Sequence, residues 1–291
     1  MATIQSFVHL LAWVSFIWSP GIAHSLSPPV VDSPHAKQFS PINKFLMQSY
    51  YDRYTNLHDS DFENFVSQEI TSGLCEHDLV WRLSDLKRNL TGEGSHRSVS
   101  TLIKFQSQQL KSLSELLSHS CELIIIERLP SGVFADPFEL QHFVQRGVFS
   151  DIAVFGDTNL ELPSFLSNRS AVEIHLVVDP NILQDPTDIK TELPLHARYQ
   201  SLNESGYSTV EFGAPDMLVR CSTKDKVENR CFLKLEKGDA NVYGSRIVWR
   251  IPSGIKTHAG LVSTVTFTAA LLSTLAIVAA SLFQIDDFKK I

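Results

Sequence analysis

The stretch Ala259–Phe283, AGLVSTVTFTAALLSTLAIVAASLF, carries no charged residue, and this constrains the chain more than anything else in it. At about 1.5 Å of rise per residue, a helix of this length crosses a hydrocarbon core of roughly 30 Å with tilt to spare. Its hydroxylated residues (Ser263, Thr264, Thr266, Thr268, Ser273, Thr274) can return their hydroxyls to the helix's own carbonyls. A core helix of a soluble domain seldom runs this far without a charge. The sequence therefore predicts a transmembrane helix over 257–283 and a short cytosolic tail over 284–291.

The N-terminus is read with that helix. Phe7–Trp18 is a short apolar run, followed by Pro20, Gly21 and Ala23, which gives a signal peptide over 1–23 with a small-x-small cleavage site. A cleaved signal followed by a stop-transfer helix places the bulk of the chain in the lumen. Lys289 and Lys290 fit a cytosolic tail, although Arg250 and Lys256 on the other flank leave the charge test undecided. The net charge of -7 and the lack of any Lys/Arg run argue against a nucleic-acid footprint.

Cys75, Cys121, Cys221 and Cys231 all fall in the translocated part, where disulfides persist. They show no C-x-x-C spacing and no paired histidines, so no structural zinc site is expected. Three pairings are open; Cys221–Cys231 with Cys75–Cys121 has the shorter loops. Three sequons, at Asn89, Asn168 and Asn203, lie in the same part and are glycosylation acceptors if lumenal and exposed.

Ser25–Pro41 is rich in Pro and Ser and reads as a linker opening an N-terminal extension over 24–90. Asp61–Ile70 reads as a short helix capped by Ser60. Leu102–Leu117 has apolar residues at helical spacing and reads as an amphipathic helix. From Cys121 onward the pattern is of strands: Leu123–Ile126, Val172–Val178, Ser208–Phe212, Met217–Cys221, Cys231–Leu235 and Arg246–Ile251, with Pro and Gly between them. The expected fold is mainly β: a lumenal antiparallel β-sandwich-like domain over 91–256 with one or two helices, plus the C-terminal transmembrane helix.

Catalytic motifs are sparse. Asp59-Ser60-Asp61 fits D-x-D, which can hold a metal and a sugar phosphate, but Ser60 has a competing role as a cap. His175 in a strand and His196 in LHARYQ could act as acid–base groups, yet single histidines in strands and loops are more often structural. No G-x-S-x-G, P-loop or G-x-G-x-x-G is present. Leu129–Leu140, LPSGVFADPFEL, is either a tight turn feeding the core or an aromatic-rich turn exposed to a partner.

LPSGVFADPFEL (129–140), VEIHLVV (172–178), LPLHARYQ (193–200), FGAPDMLVRC (212–221) and WRIPSG (249–254), in that order ahead of one span, resemble the PIG-X family, with GEGSHR (92–97) as part of the pattern. The resemblance covers roughly Thr91 to the C-terminus. It implies an endoplasmic reticulum membrane protein, a non-catalytic subunit that keeps a multi-spanning PIG-M-type mannosyltransferase stable. That enzyme transfers the first mannose from dolichyl-phosphate mannose to the glycosylphosphatidylinositol (GPI) precursor. The implied chain has no cofactor, no metal, no catalytic residue and no small-molecule substrate of its own. The competing readings are a type I cell-surface receptor or adhesion protein, a GPI-anchored protein and an independent glycosyltransferase or hydrolase. A short tail without Tyr or Ser weighs against the receptor, and the charges after the span weigh against the GPI anchor.

Overall fold

The computed structural model describes residues 44–75, 80–105, 119–178, 188–223, 226–237 and 246–288. The expected signal peptide and the linker Ser25–Pro41 lie outside these residues. Among these residues two helices come first, α1 (Leu46–Tyr51) and α2 (Asp59–Ser72). They are followed by β1 (Val80–Glu93), β2 (His96–Phe105), β3 (His119–Leu129), β4 (Val133–Phe134), α3 (Pro137–Gln145) and β5 (Asp151–Gly156). The domain ends with β6 (Ser170–Val178), β7 (Ile189–Ala197), β8 (Tyr207–Phe212), β9 (Asp216–Thr223), β10 (Lys226–Lys237) and β11 (Ile247–Pro252). A 3₁₀ turn at Lys256–His258 leads into α4 (Ala259–Phe288).

The strands make one sheet in the order β4-β7-β2-β1-β10-β9-β3-β6-β5 and a two-stranded sheet, β11-β8. All pairings between named strands are antiparallel except β1 with β10. The long strand β10 belongs to both halves: its first part pairs with β9, its last part with β1. The sheet folds over itself at this hinge. Strands β1 and β3 are three places apart, about 14 Å in a flat sheet. Yet Arg88 of β1 reaches Glu127 of β3 at 2.7 Å. Inward residues of both halves (Leu83, Val99 and Ile103; Leu123, Val172 and Val219) join Val210, Phe212 and Trp249 of the small sheet in one core. This is a sandwich-like β domain, as the strand pattern predicts.

Strand β3 is buried on both faces. Leu123 and Ile125 face the inter-sheet core, while Ile124 and Ile126 face a second cluster with Met47, Tyr50, Phe62 and Phe65 of the helices. A continuous apolar run is what a doubly covered strand requires.

Several expectations change. Leu102–Phe105 is not helical but the end of β2, in which Val99, Thr101, Ile103 and Phe105 alternate inward; the rest of Leu102–Leu117 lies outside the described residues. Helix α2 starts at Asp59, its N-cap is His58 without a side-chain bond, and Ser60 sits inside the first turn. There Asp59 and Asp61 complement the helix dipole. The expected boundary at 90/91 falls inside β1, since α1, α2 and β1 are integral to the domain.

The disulfides are Cys75–Cys231 and Cys121–Cys221, not the short-loop pairs. Strand order overrides loop length: β3 lies beside β9 with Cys121 opposite Cys221, and Cys75 bonds backbone to backbone with Phe232.

Candidate functional site

The residues singled out for catalysis go to separate structural tasks. The Asp59 carboxylate lies 2.7 Å from Arg128 and 3.0 Å from Arg169, and the Arg169 hydrogen bond is the main reason its pKa is lowered. A carboxylate already matched by two guanidinium groups is poorly placed to hold a metal.

His175 is buried on β6, with Nε2 2.8 Å from Glu173 Oε1 and Nδ1 3.1 Å from Glu122 Oε2. Burial alone would depress its pKa, but the hydrogen bonds to both carboxylates outweigh burial and raise it. With carboxylates at both ring nitrogens, the imidazolium is the form of His175 that can donate to both. Burial works against the Glu122 charge too, but His175 and Arg220 prevail and hold its carboxyl down to about 2. Glu173 accepts from the backbone N–H groups of Leu46 at 2.9 Å and Met47 at 2.7 Å, and Arg220 donates to Lys44 O. The network fastens the start of α1 to the sheet.

A different convergence involves residues far apart in sequence. In LPSGVFADPFEL, Asp136 caps α3 by accepting from Phe138 N at 2.8 Å, with Pro137 at the first helical position. Gly132 O accepts from Arg198 N at 3.0 Å and from Gln200 Nε2 at 2.8 Å. A Cβ at 132 would stand 2.7 Å from Val210 Cγ2, so any larger residue would push Val210 aside. The turn of one string is thereby locked to HARYQ of another.

Arg198 is buried and donates to Asn159 O at 2.6 Å and Leu162 O at 3.0 Å, with its guanidinium 5.0 Å from the Phe134 ring. Burial lowers its pKa, opposed by Asp157. Tyr199, the next residue, is 85% exposed. Strands β2 and β7 place His96 opposite His196, and His196 Nε2 lies 2.9 Å from Glu139 Oε2 on α3. Four strings (GEGSHR, LPSGVFADPFEL, LPLHARYQ and WRIPSG) thus meet around a groove of about 430 Å³ lined by Ser95, Phe134, Leu162, Tyr199, Ile251 and Pro252.

Past Ile251 and Pro252 of the groove, the chain runs through Lys256–His258 into the apolar helix. After Pro252, Gly254 takes a positive φ of 80°, and the 203–206 turn bonds to the 253–256 segment through Asn203 N, Lys256 N and Ser253 N. Leu202, Tyr207 and Ile255 are exposed here. Lys256–Leu282 is apolar and long enough to cross a membrane, and its Thr264, Thr268, Ser273 and Thr274 hydroxyls bond carbonyls four residues back. A larger hollow of about 760 Å³ between Tyr51, Phe155 and Arg169 is lined by no residue of these strings, and the smaller groove is the better candidate.

A family described as PIG-X / PBN1 matches residues 92–282. The chain belongs to the PIG-X / PBN1 family. Among curated relatives, the human "GPI alpha-1,4-mannosyltransferase I, stabilizing subunit" is 26% identical over 67% of this chain and 78% of that protein. Its rat counterpart of the same name is 28% identical over 67% of this chain and 80% of its own length. The "Protein pbn1" of Aspergillus oryzae is 27% identical over 45% of this chain and 26% of the fungal protein. No solved structure matches the chain.

Read alone, the sequence missed that His96, Glu139 and His196 assemble. Each lies in a string of the PIG-X pattern, but only the β2–β7 register and the capped start of α3 bring them together.

Proposed function

We propose that this PIG-X-family chain is the non-catalytic stabilising subunit of GPI mannosyltransferase I, anchored in the endoplasmic reticulum membrane by α4 with its β domain in the lumen. The likeness to the mammalian stabilising subunits over two thirds of the chain carries this reading. The two disulfides agree with a lumenal β domain.

The partner is a multi-spanning, PIG-M-type mannosyltransferase. A subunit that binds only the folded enzyme raises its folded fraction by mass action. Exposed aromatic side chains beside a membrane helix are suited to anchoring such a contact, and Tyr199, with Leu202 and Ile255 nearer the span, supplies that face. In α4, Ala269, Ala270, Ser273 and Thr274 permit close packing against a neighbouring helix. Asn89 and Asn168 are exposed and suited to carry glycans, whereas Asn203 donates its side-chain amide to Tyr207 O at the foot of the span.

The test is a mild-detergent pull-down of the tagged chain with mass spectrometry. Recovery of a multi-spanning mannosyltransferase whose level falls when this chain is removed supports the role. Recovery of no such enzyme, with complex-type glycans on the bait, sends the reading to a surface receptor.

A further inference from the structure

His96, His196 and Glu139 come from three elements, β2, β7 and α3, and turn their ligating atoms toward one point. His196 Nε2 is 2.9 Å from Glu139 Oε2, His96 Nε2 is 3.4 Å from Glu139 Oε1, and all three ligand atoms lie within 4.8 Å of one another. A tetrahedral ion with bonds of about 2.0–2.1 Å sets its ligands roughly 3.3 Å apart. Small side-chain rotations bring this trio to that spacing.

The arrangement is largely formed in advance. The two histidines face each other in the β2–β7 ladder, with rings 4.3 Å apart and 5° from parallel. The other face of His196 stacks on Phe134 at 5.2 Å, so its ring direction is set by packing. Glu139 stands in the first turn of α3, whose start is fixed by the Asp136 cap and Pro137. Side-chain exposures of 56% for His96 and 30% for each partner leave one side of the trio open to solvent.

We propose that His96, His196 and Glu139 form a binding site for one zinc-type divalent ion. Two imidazoles and one carboxylate are a donor set that Zn²⁺ takes in three-ligand sites, with the fourth position left to water. Charge agrees: two neutral imidazoles and one carboxylate leave the bound ion only partly compensated, and the open position faces solvent. A bound ion would staple α3 and the β4 turn onto the β2–β7 ladder, at the edge of the groove. The bland rival is a carboxylate shared by two histidines with no affinity for metal.

The experiment uses the full chain in detergent, purified through a tag without histidines and stripped with chelator. Zn²⁺ is titrated by calorimetry, Tm is read with and without it, and Co²⁺ provides an absorption spectrum. The site predicts one equivalent bound, a rise in Tm, and cobalt d–d bands of the tetrahedral type. All three are lost in the double variant His96→Asn/His196→Asn, and binding is weakened in Glu139→Gln. Should the double variant fold poorly, His96→Gln alone, at the most exposed ligand, must still weaken binding. Absence of stoichiometric binding in the wild-type chain overturns the proposal. Equal binding by the variants overturns it as well, since the ion then sits elsewhere.

Discussion

Two polar regions of the domain are organised in opposite ways. Behind the sheet, Arg220, Glu122, His175 and Glu173 form a linked circuit in which opposite charges alternate and whose bonds tie the start of α1 to β6 and β9. Around the groove, Arg198 is just as buried, but it holds a loop by its carbonyls and leaves Tyr199 standing in solvent. The first region uses charge to complete the fold. The second uses it to support a surface. Asp59 and His175, conspicuous in the sequence, therefore serve the fold, whereas Tyr199 is left exposed.

The largest effects should fall on the scaffold. Removing Cys121–Cys221, which closes a separation of 100 residues, is expected to cost about 4–5 kcal/mol on loop entropy, read from chemical denaturation of the Cys121→Ala/Cys221→Ala variant. Glu127→Ala leaves Arg88 charged in the core and should cost about 3–5 kcal/mol, whereas replacing both partners by apolar residues of similar size should cost far less. An equal loss in the two variants would show that the pair itself, rather than its completeness, holds the halves together.

The α1 circuit gives a smaller, pH-dependent effect. Glu122, depressed to about 2 from 4.5, contributes stability that is fully present above about pH 4.5 and is lost as pH falls toward 2. His175, raised from 6.5, contributes stability that is fully present below about pH 6.5 and is lost as pH rises through its raised folded value. Attachment of α1 should therefore be strongest between about pH 4.5 and 6.5. Hydrogen exchange of the Leu46 and Met47 amides against pH measures it, and His175→Gln should flatten the alkaline limb.

At the groove the expected effect on stability is smallest. Tyr199→Ala should change unfolding free energy by no more than about 0.5 kcal/mol, as for other exposed positions, while impairing retention of the partner. Sequon variants sharpen the orientation of this face: Asn89→Gln and Asn168→Gln should each increase gel mobility by one glycan, and Asn203→Gln should not.

Strands β3, β6, β8, β9, β10 and β11 are legible because their apolar runs and alternation are local, whereas β4, β5 and β7 give no such signal and are found only in the sheet. Strand β2 was not legible either: Leu102 and Ile103 fit a helical spacing as well as a strand, and what decides is the pairing of both edges with β1 and β7. Loop length misassigned the cysteines because β3 and β9 become neighbours only through sheet order. The family strings were visible one by one, but their meeting at the groove depends on Gly132, Arg198 and Gln200 locking two of them together. The structural role of His175 is hidden because Glu122 lies on another strand, 53 residues away, and the spacing of Glu173 does not by itself show that it bonds the ring.

Stabilisation of a mannosyltransferase by the groove face is the role proposed for this chain. Its most direct test is the half-life of the multi-spanning enzyme, by pulse–chase, in cells lacking their own stabilising subunit and supplied with this chain. The wild-type chain is expected to prolong the half-life. Tyr199→Ala, with both disulfides formed and unaltered thermal stability, is expected to fail to do so. An enzyme equally long-lived with either chain would contradict the assignment of the face, and one indifferent to the wild-type chain would contradict the function.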